Sequence, residues 1–163
     1  ERSRGLGDVY KRQVVAMEPE NFQAWINRQI EPAPEPITES SKRGKEVYES
    51  LCARCHVIKG VNDDTSIGAD LVANAAPNLT HLMSRTTFAG GIFNMYESDG
   101  SLNRTQLEAW LRNAPEEKPA YAEGRRGMPN LGLDEGQIDD LIAYLQTLGD
   151  KPTIETIAAT EVE

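Results

Sequence analysis

Apolar residues recur every three or four positions in three segments of this chain, which is the spacing of one face of an α-helix. The pattern predicts a first helix at about 41–55, a second at 105–115 that stops at a proline, and a third at 134–149 that stops at a glycine. Between these segments, no useful length of period-two alternation indicates a half-buried strand. We therefore predict an all-α domain at residues 42–149, with three main helices and long loops.

Capping signals mark where the second and third helices begin. Thr105 is followed three residues later by Glu108, which is a capping-box pattern. Asp134 and Gln137 repeat that spacing at the start of the third helix. The predicted buried face of the third helix consists of Ile138, Leu141, Ile142, Leu145 and Leu148.

The sequence pattern at 14–29 predicts the last elements of a separate, preceding domain. Residues 14–17 indicate a short strand end, and a proline then precedes a helix start. Phe22, Trp25 and Ile26 share one helix face, and such a face normally packs on a neighbour. We interpret the segment as a short remnant of a preceding β domain, its last strand and helix.

Three further segments lack a helical pattern. Residues 1–13 join abruptly to the segment at 14–29, and we interpret them as a non-native or assembly-derived segment. Residues 30–41 are rich in proline and glutamate, which favours an extended, semi-rigid linker. Residues 150–163 are polar and unpatterned, which predicts a flexible tail.

The strongest chemical signal is the run Cys52-Ala53-Arg54-Cys55-His56. Two cysteines separated by two residues and followed by histidine are the attachment signature of a c-type haem. On one helical turn, both thiols can add to the vinyl groups of one porphyrin, and the imidazole can bind the iron. These are the only two cysteines of the chain. A structural zinc site would need four ligands, and a thioredoxin-like thiol pair would need a strand–helix context that is absent here.

A second axial ligand is needed if the iron is to transfer electrons without binding small molecules. The candidates are Met128, His81, Met83 and Met95. Met128 is favoured, because a glycine before it permits close approach and a proline after it fixes the backbone. His81 could instead form a bis-histidine pair or simply hydrogen-bond, and the other two methionines fit core positions.

Three residues are candidates for the haem pocket. The carbonyl of Pro77 could accept the second N–H of the His56 imidazole and so fix its orientation. Trp110 and Arg85 could pair with haem propionates, although Trp110 could equally be core and Arg85 could face solvent.

Composition and charge narrow the function classes. The hydrophobic content of 39% and aromatic content of 6% are lean for 163 residues, and a covalent porphyrin would add apolar mass. The net charge of −9 argues against nucleic-acid binding. It suits docking to a basic partner, and equally it suits a surface that is charged only for solubility. No membrane-spanning run and no signal peptide are visible, and we interpret the chain as a fragment of a longer exported protein.

Together these motifs resemble class I cytochrome c over residues 42–149. In that family the iron ligands match His56 and Met128, and the supporting proline carbonyl matches Pro77. Its first and last helices cross at glycine and aromatic contacts, and the corresponding residues are Gly44, Tyr48, Leu141 and Tyr144. The resemblance implies a fold of three main helices wrapped around one covalent haem c.

A narrower resemblance is to cytochrome c oxidase subunit II proteins with a fused C-terminal cytochrome c domain. It rests on the segments 22–25, 77–81, 84–87 and 107–112, with Lys118-Pro119 after them. The resemblance implies a truncated subunit whose dinuclear copper site and membrane anchors lie outside this chain. Copper is therefore not expected here, and membrane association would come only from the missing upstream segments.

The expected function is one-electron transfer. The resemblance implies a cytochrome c or a quinol-oxidising complex as donor and other oxidase subunits as partners, in the periplasm or on the outer face of the bacterial cytoplasmic membrane. Three alternatives stay open: a free-standing or differently fused class I cytochrome serving another periplasmic oxidoreductase, a gas-binding or peroxidase-like haem, and a haemless helical module.

Overall fold

The computed structural model describes residues 16–63, 76–119 and 127–152. Four α-helices lie within these ranges: α1 Pro19–Gln29, α2 Glu39–Val47, α3 Arg104–Glu117 and α4 Glu135–Leu145. Helix α2 continues into a π-helical turn, Tyr48–Cys52, and a 3₁₀ turn covers Leu82–Ser84. Two antiparallel strands, β1 Thr87–Phe88 and β2 Phe93–Asn94, form the remaining regular structure of the described ranges. With two residues each, these strands are too short to produce an alternating pattern, so the all-α prediction omitted them.

The crossing of α2 and α4 is the centre of the domain. A Cβ atom built on Gly44 would lie 1.9 Å from the carbonyl oxygen of Asp140 and 2.7 Å from Cβ of Tyr144. The rings of Tyr48 and Tyr144 meet beside it, with centroids 5.9 Å apart. The contact expected with Tyr144 is therefore present, while the nearest backbone belongs to Asp140 rather than to Leu141. Glycine allows the two helices to approach each other this closely.

Side-chain caps define the starts of three helices. At α4, Asp134 and Gln137 form the predicted capping box. At α3, the prediction is wrong by two residues, because the side chain of Asn103 accepts the N–H of Gln106 and Thr105 is already helical. Asparagine is a better N-cap residue than threonine. Asn103 therefore caps the helix, and Thr105 lies in its first turn. At α2, a capping box that the sequence pattern did not predict begins at Thr38.

The two predicted helix stops also differ in detail. Helix α3 is interrupted at Asn113, which has extended backbone angles, two residues before Pro115, and it ends at Glu117. Helix α4 ends at Leu145, ahead of Gly149. Gly149 has a φ of +93°, and a Cβ atom there would lie 2.9 Å from Cα of His81. The glycine thus permits a close backbone approach rather than ending the helix.

The core lies between α2, α3, α4 and the segment that contains the hairpin. Its largest fully buried side chains are Tyr48, Tyr144, Ile58, Met95, Ile138, Leu141, Ile142 and Leu148. Met83 is also buried; its N–H donates to the carbonyl of Leu148, and its carbonyl accepts the hydroxyl of Tyr96 at 2.6 Å. The predicted apolar face of α4 is therefore buried as expected, and both methionines occupy core positions.

The N-terminal segment lies on the surface of the domain. Phe22 and Trp25 of α1 stack at 5.9 Å and are 50% and 43% exposed. The following residues touch the domain where Ala33 N–H donates to the carbonyl of Lys59 at 2.9 Å. The predicted strand end is not confirmed, since Ala16 and Met17 have no regular structure and residues 14 and 15 lie outside the described ranges.

Two predicted segments fall largely outside the residues that the structure describes. These are the residues at 1–13 and, apart from its first three residues, the tail at 150–163. Within the described ranges, no helix has the length and apolar character needed to cross a membrane.

Candidate functional site

The loop that carries the cysteines is a direct continuation of α2. The N–H of Ala53 donates to the carbonyl of Tyr48 at 2.9 Å, which is the five-residue spacing of a π-helical turn. The carbonyl of Cys52 then accepts the N–H groups of both Cys55 and His56 at 3.0 Å. These bonds confine the two cysteines and the histidine to one compact turn.

The two thiols have different surroundings. Both cysteines are free, with Cys52 buried and Cys55 exposed. Burial raises the pKa of the Cys52 thiol to about 11, so this thiol is protonated at neutral pH. The pair therefore presents one thiol from the protein interior and one from the surface.

His56 is held by one ring nitrogen. Its Nδ1 lies 2.8 Å from the carbonyl oxygen of Pro77, which is the pairing expected from the sequence. A carbonyl can only accept, so Nδ1 carries the hydrogen and the lone pair of Nε2 is available to a metal. Burial lowers the pKa of His56, against the opposing effect of the Pro77 carbonyl. The imidazole is thus kept neutral, which is the ligand form.

The Pro77 carbonyl is positioned by backbone bonds on either side of it. Ala76 donates its N–H to the carbonyl of Cys55 at 3.2 Å, and Leu79 donates to the carbonyl of Val57 at 2.8 Å. The segment at 76–79 therefore runs back along the cysteine loop. This pairing brings Pro77 opposite His56, the residue between the two acceptors.

Asn62 is a polar residue of the site that the sequence pattern did not predict. It is buried, and its amide bonds the backbone of Ala53, His56 and Ile58. The hydroxyl of Tyr48 lies within hydrogen-bond distance of the same His56 carbonyl. In the sequence, Asn62 stands shortly after a glycine and directly before an aspartate, as an ordinary turn residue would, so the pattern carried no signal of this role.

Met128 precedes α4 in an irregular segment. It is half-buried and packs against the hydrophobic core. The residues at 120–126, which lead into it, lie outside the described ranges. Its role as an iron ligand stays a prediction.

Arg85 and Trp110 are half-buried residues at different places. The guanidinium of Arg85 donates to the carbonyl of Asn78, and burial lowers its pKa. Its positive charge also contributes to the lowered pKa of His56. Trp110 instead meets Phe88 and Phe93 edge-on, with centroids 6.5 and 6.2 Å away.

His81 lines a polar cavity of about 390 Å³ between the end of α1 and the segment at 78–85. Its Nε2 lies 3.2 Å from the carbonyl of Gln29. This contact is a hydrogen bond to backbone, one of the two roles that the sequence left open for His81.

The donor set fits a covalently bound haem. Two free thiols and an imidazole with an available Nε2 stand on one turn, in the order that porphyrin attachment requires. Within the described ranges, no group of three or more His, Cys, Asp or Glu side chains could hold a bare metal ion. Two cysteines followed directly by histidine match the covalent attachment of an organic prosthetic group.

A helical domain with a Cys-x-x-Cys-His turn at the end of its first core helix belongs to the class of small proteins with covalently attached haem. The family model for cytochrome c matches residues 41–149. The chain is a member of the cytochrome c family, which implies covalent haem c and haem-mediated electron transfer.

Two curated relatives extend the comparison. The chain is similar to cytochrome c oxidase subunit 2 of Alkalihalophilus pseudofirmus, with 26% identity over 83% of this chain and 33% of the relative. It is also similar to a nitric oxide reductase subunit of Stutzerimonas stutzeri, with 31% identity over 68% of this chain and 59% of the relative. The chain thus spans less than two thirds of either relative.

Proposed function

We propose that this chain binds one haem c and transfers single electrons through it. Thioether bonds from Cys52 and Cys55 hold the porphyrin, and His56 and Met128 bind the iron. The observation that carries the proposal is the hydrogen bond from His56 Nδ1 to the Pro77 carbonyl, which leaves Nε2 free beside the two thiols. The group itself supplies one-electron oxidation and reduction of its iron.

The residues of the chain have separate tasks in this function. The cysteines fix the position of the porphyrin, and Pro77 fixes the plane and the tautomer of the His56 ring. Met128 would supply a sulfur ligand to the iron, which would raise the reduction potential relative to a second histidine. Arg85 would pair with a haem propionate, and Trp110, which packs edge-on against Phe88 and Phe93, would line another part of the haem pocket.

The attachment is tested by the intact mass of the chain expressed with a cytochrome c maturation system. We expect one haem per chain, lost in the variant Cys52→Ala with Cys55→Ala. A chain of unmodified mass would overturn the proposal and leave a haemless module.

The sixth ligand is tested by Met128→Leu. We expect loss of the methionine–iron absorption band and rapid binding of carbon monoxide to the ferrous protein. Met83→Leu is the matched control, because Met83 is buried in the core and bonded through its backbone. An unchanged band in Met128→Leu would mean that another methionine binds the iron, whereas a wild type that lacks the band and binds carbon monoxide rapidly would favour a haem with an open distal side.

We further propose that the chain is the cytochrome c domain of an oxidase subunit II whose copper domain and membrane anchors lie upstream. The similarity to cytochrome c oxidase subunit 2 supports this, since it extends over 83% of the chain and so beyond the cytochrome domain. The domain would accept electrons from a cytochrome or a quinol-oxidising complex, outside the cytoplasmic membrane, and pass them towards copper. The net charge of −9 favours a basic donor.

The second candidate is a cytochrome subunit of another oxidoreductase. The 31% identity to the nitric oxide reductase subunit favours it. The complete reading frame separates the two: a copper motif of Cys, His and Met after two membrane helices supports the oxidase, and its absence supports the alternative.

A further inference from the structure

The side-chain amide of Asn62 is buried, and its oxygen and both of its N–H groups form hydrogen bonds with the backbone. The residue is 6% exposed. Its Nδ2 donates to the carbonyl of Ala53 at 3.0 Å and to that of His56 at 2.8 Å, and its Oδ1 accepts the N–H of Ile58 at 2.8 Å. An amide has two N–H donors, so each donor of Asn62 has a separate backbone partner.

The three partners surround the histidine. Ala53 lies between the two cysteines, His56 is the proposed iron ligand, and Ile58 comes two residues later. Asn62 therefore bonds the peptide plane directly after His56, while the N–H of His56 bonds the Cys52 carbonyl and holds the plane before it. Because these two planes set the direction of the Cα–Cβ bond, Asn62 contributes to the direction in which the imidazole leaves the backbone.

Tyr48 connects this arrangement to the helices. Its ring is fully buried, and its hydroxyl lies 2.9 Å from the His56 carbonyl and 3.1 Å from Oδ1 of Asn62. Its ring also packs against Tyr144 of α4. The cysteine turn is thereby tied to the crossing of α2 and α4 through a buried hydroxyl.

We infer that Asn62 and Tyr48 are positioning residues that hold the Cys52–Cys55–His56 turn in the shape that haem attachment needs and that orient His56 afterwards. The inference rests on the proposed function. If Asn62 and Tyr48 had a purely structural role, substituting them would lower only the free energy of unfolding. If they position the turn, substituting them also changes the yield of haem attachment and the orientation of the His56 ring.

The test compares Tyr48→Phe with Tyr96→Phe in the full chain, expressed with a maturation system. Each substitution removes one buried hydroxyl that bonds a backbone carbonyl, that of His56 in the first and that of Met83 in the second. Asn62→Leu is the stronger variant, and it removes all three amide bonds while keeping the number of side-chain heavy atoms. The readouts are haem per chain from the intact mass, the free energy of unfolding, and the haem-methyl chemical shifts of the ferric form.

We expect Tyr48→Phe and Tyr96→Phe to lower the free energy of unfolding to a similar degree. Haem per chain falls several-fold, and the methyl shifts change, in Tyr48→Phe and Asn62→Leu but not in Tyr96→Phe. Wild-type yield and shifts in Tyr48→Phe would overturn the inference, and so would an equal loss in Tyr96→Phe. If Asn62→Leu does not fold, the tyrosine pair still decides. Absence of haem from the wild-type chain would instead contradict the proposed function itself.

Discussion

At the scale of single residues, the buried tyrosines Tyr48 and Tyr144 pack against each other but differ in whether their hydroxyl groups are hydrogen-bonded. The hydroxyl of Tyr48 bonds the cysteine turn, while that of Tyr144 is buried and finds no hydrogen-bond partner among the described residues. Burial raises the pKa of both phenols, so both stay protonated over the working range of pH. An unpaired buried hydroxyl costs stability, whereas a paired one contributes to it.

We therefore predict opposite results for the two phenylalanine substitutions. Tyr144→Phe leaves the free energy of unfolding unchanged or raises it by up to about 1 kcal/mol, because no bond is lost. Tyr48→Phe lowers it by about 1 kcal/mol or more, because the His56 carbonyl loses a buried donor. Urea denaturation of the haem-loaded variants measures both. A large loss in Tyr144→Phe would mean that its hydroxyl has a partner.

At the scale of elements, the contact between α2 and α4 governs the domain. Its apolar centre is the close approach at Gly44, and its rim is polar. Arg43 forms two hydrogen bonds with the carboxylate of Asp140, at 2.7 and 2.8 Å, and Ser40 adds a third at 2.6 Å. The contact of α4 with α2 thus combines a glycine at its centre with an ion pair at its rim.

Gly44→Ala should be strongly destabilising. The added Cβ would lie 1.9 Å from the Asp140 carbonyl oxygen, and backbone atoms cannot give way without moving the helix. We expect a loss of about 1–3 kcal/mol in the free energy of unfolding, the usual range for overpacking. Glu46→Ala on the exposed side of α2 is the control and should have little effect. Equal stability of both variants would contradict the close crossing.

The ion pair at the rim predicts a pH dependence. The hydrogen bonds from Arg43 and then Ser40 lower the pKa of Asp140, so its ionised form is favoured in the folded state. A lowered carboxyl pKa stabilises the fold above the unfolded value of 3.8, and the contribution is lost as pH falls through the folded pKa.

Asp140→Asn should therefore be less stable than the wild type at neutral pH, by less than Gly44→Ala, since the pair is at the surface. The difference should shrink below the ordinary carboxyl pKa, as the wild type loses the same charge. Urea denaturation at neutral pH and at about pH 2 measures it. A difference that grows on acidification would contradict this assignment.

At the scale of the whole molecule, the N-terminal segment adds little to the domain. Its described contacts are hydrogen bonds near Lys59 and His81, the ion pair of Glu35 and Lys45, and the packing of Ala33 against the edge of the core. The stacked pair Phe22 and Trp25 remains exposed. The segment is therefore an attachment to a domain that has its own core.

A chain that begins at Pro36 should consequently fold as cooperatively as the full chain. We expect its free energy of unfolding to be within about 1 kcal/mol of the original, with the same haem spectrum. A chain that begins at Ser40 loses the Thr38 cap of α2 and should be less stable by about 1 kcal/mol more. A shallow, non-cooperative urea transition in the first variant would show that α1 belongs to the core.

Features that depend on local spacing can be predicted from the sequence alone. The buried face of α4, its capping box at Asp134 and the cysteine turn are all encoded within a few neighbouring residues. The pairing of His56 with the Pro77 carbonyl could also be predicted from the sequence, because a ligating histidine needs an acceptor for its second N–H.

Which polar groups meet depends on the packing of distant segments, and local sequence patterns do not contain it. Asn62 has the sequence context of an exposed turn residue. In the structure it is buried, and its amide bonds three backbone groups. The approach of Gly44 to Asp140 and of Gly149 to His81 depends on chain segments far apart in sequence. A local period gives the face of a helix but not the residue opposite, since the partner is set by how whole elements pack.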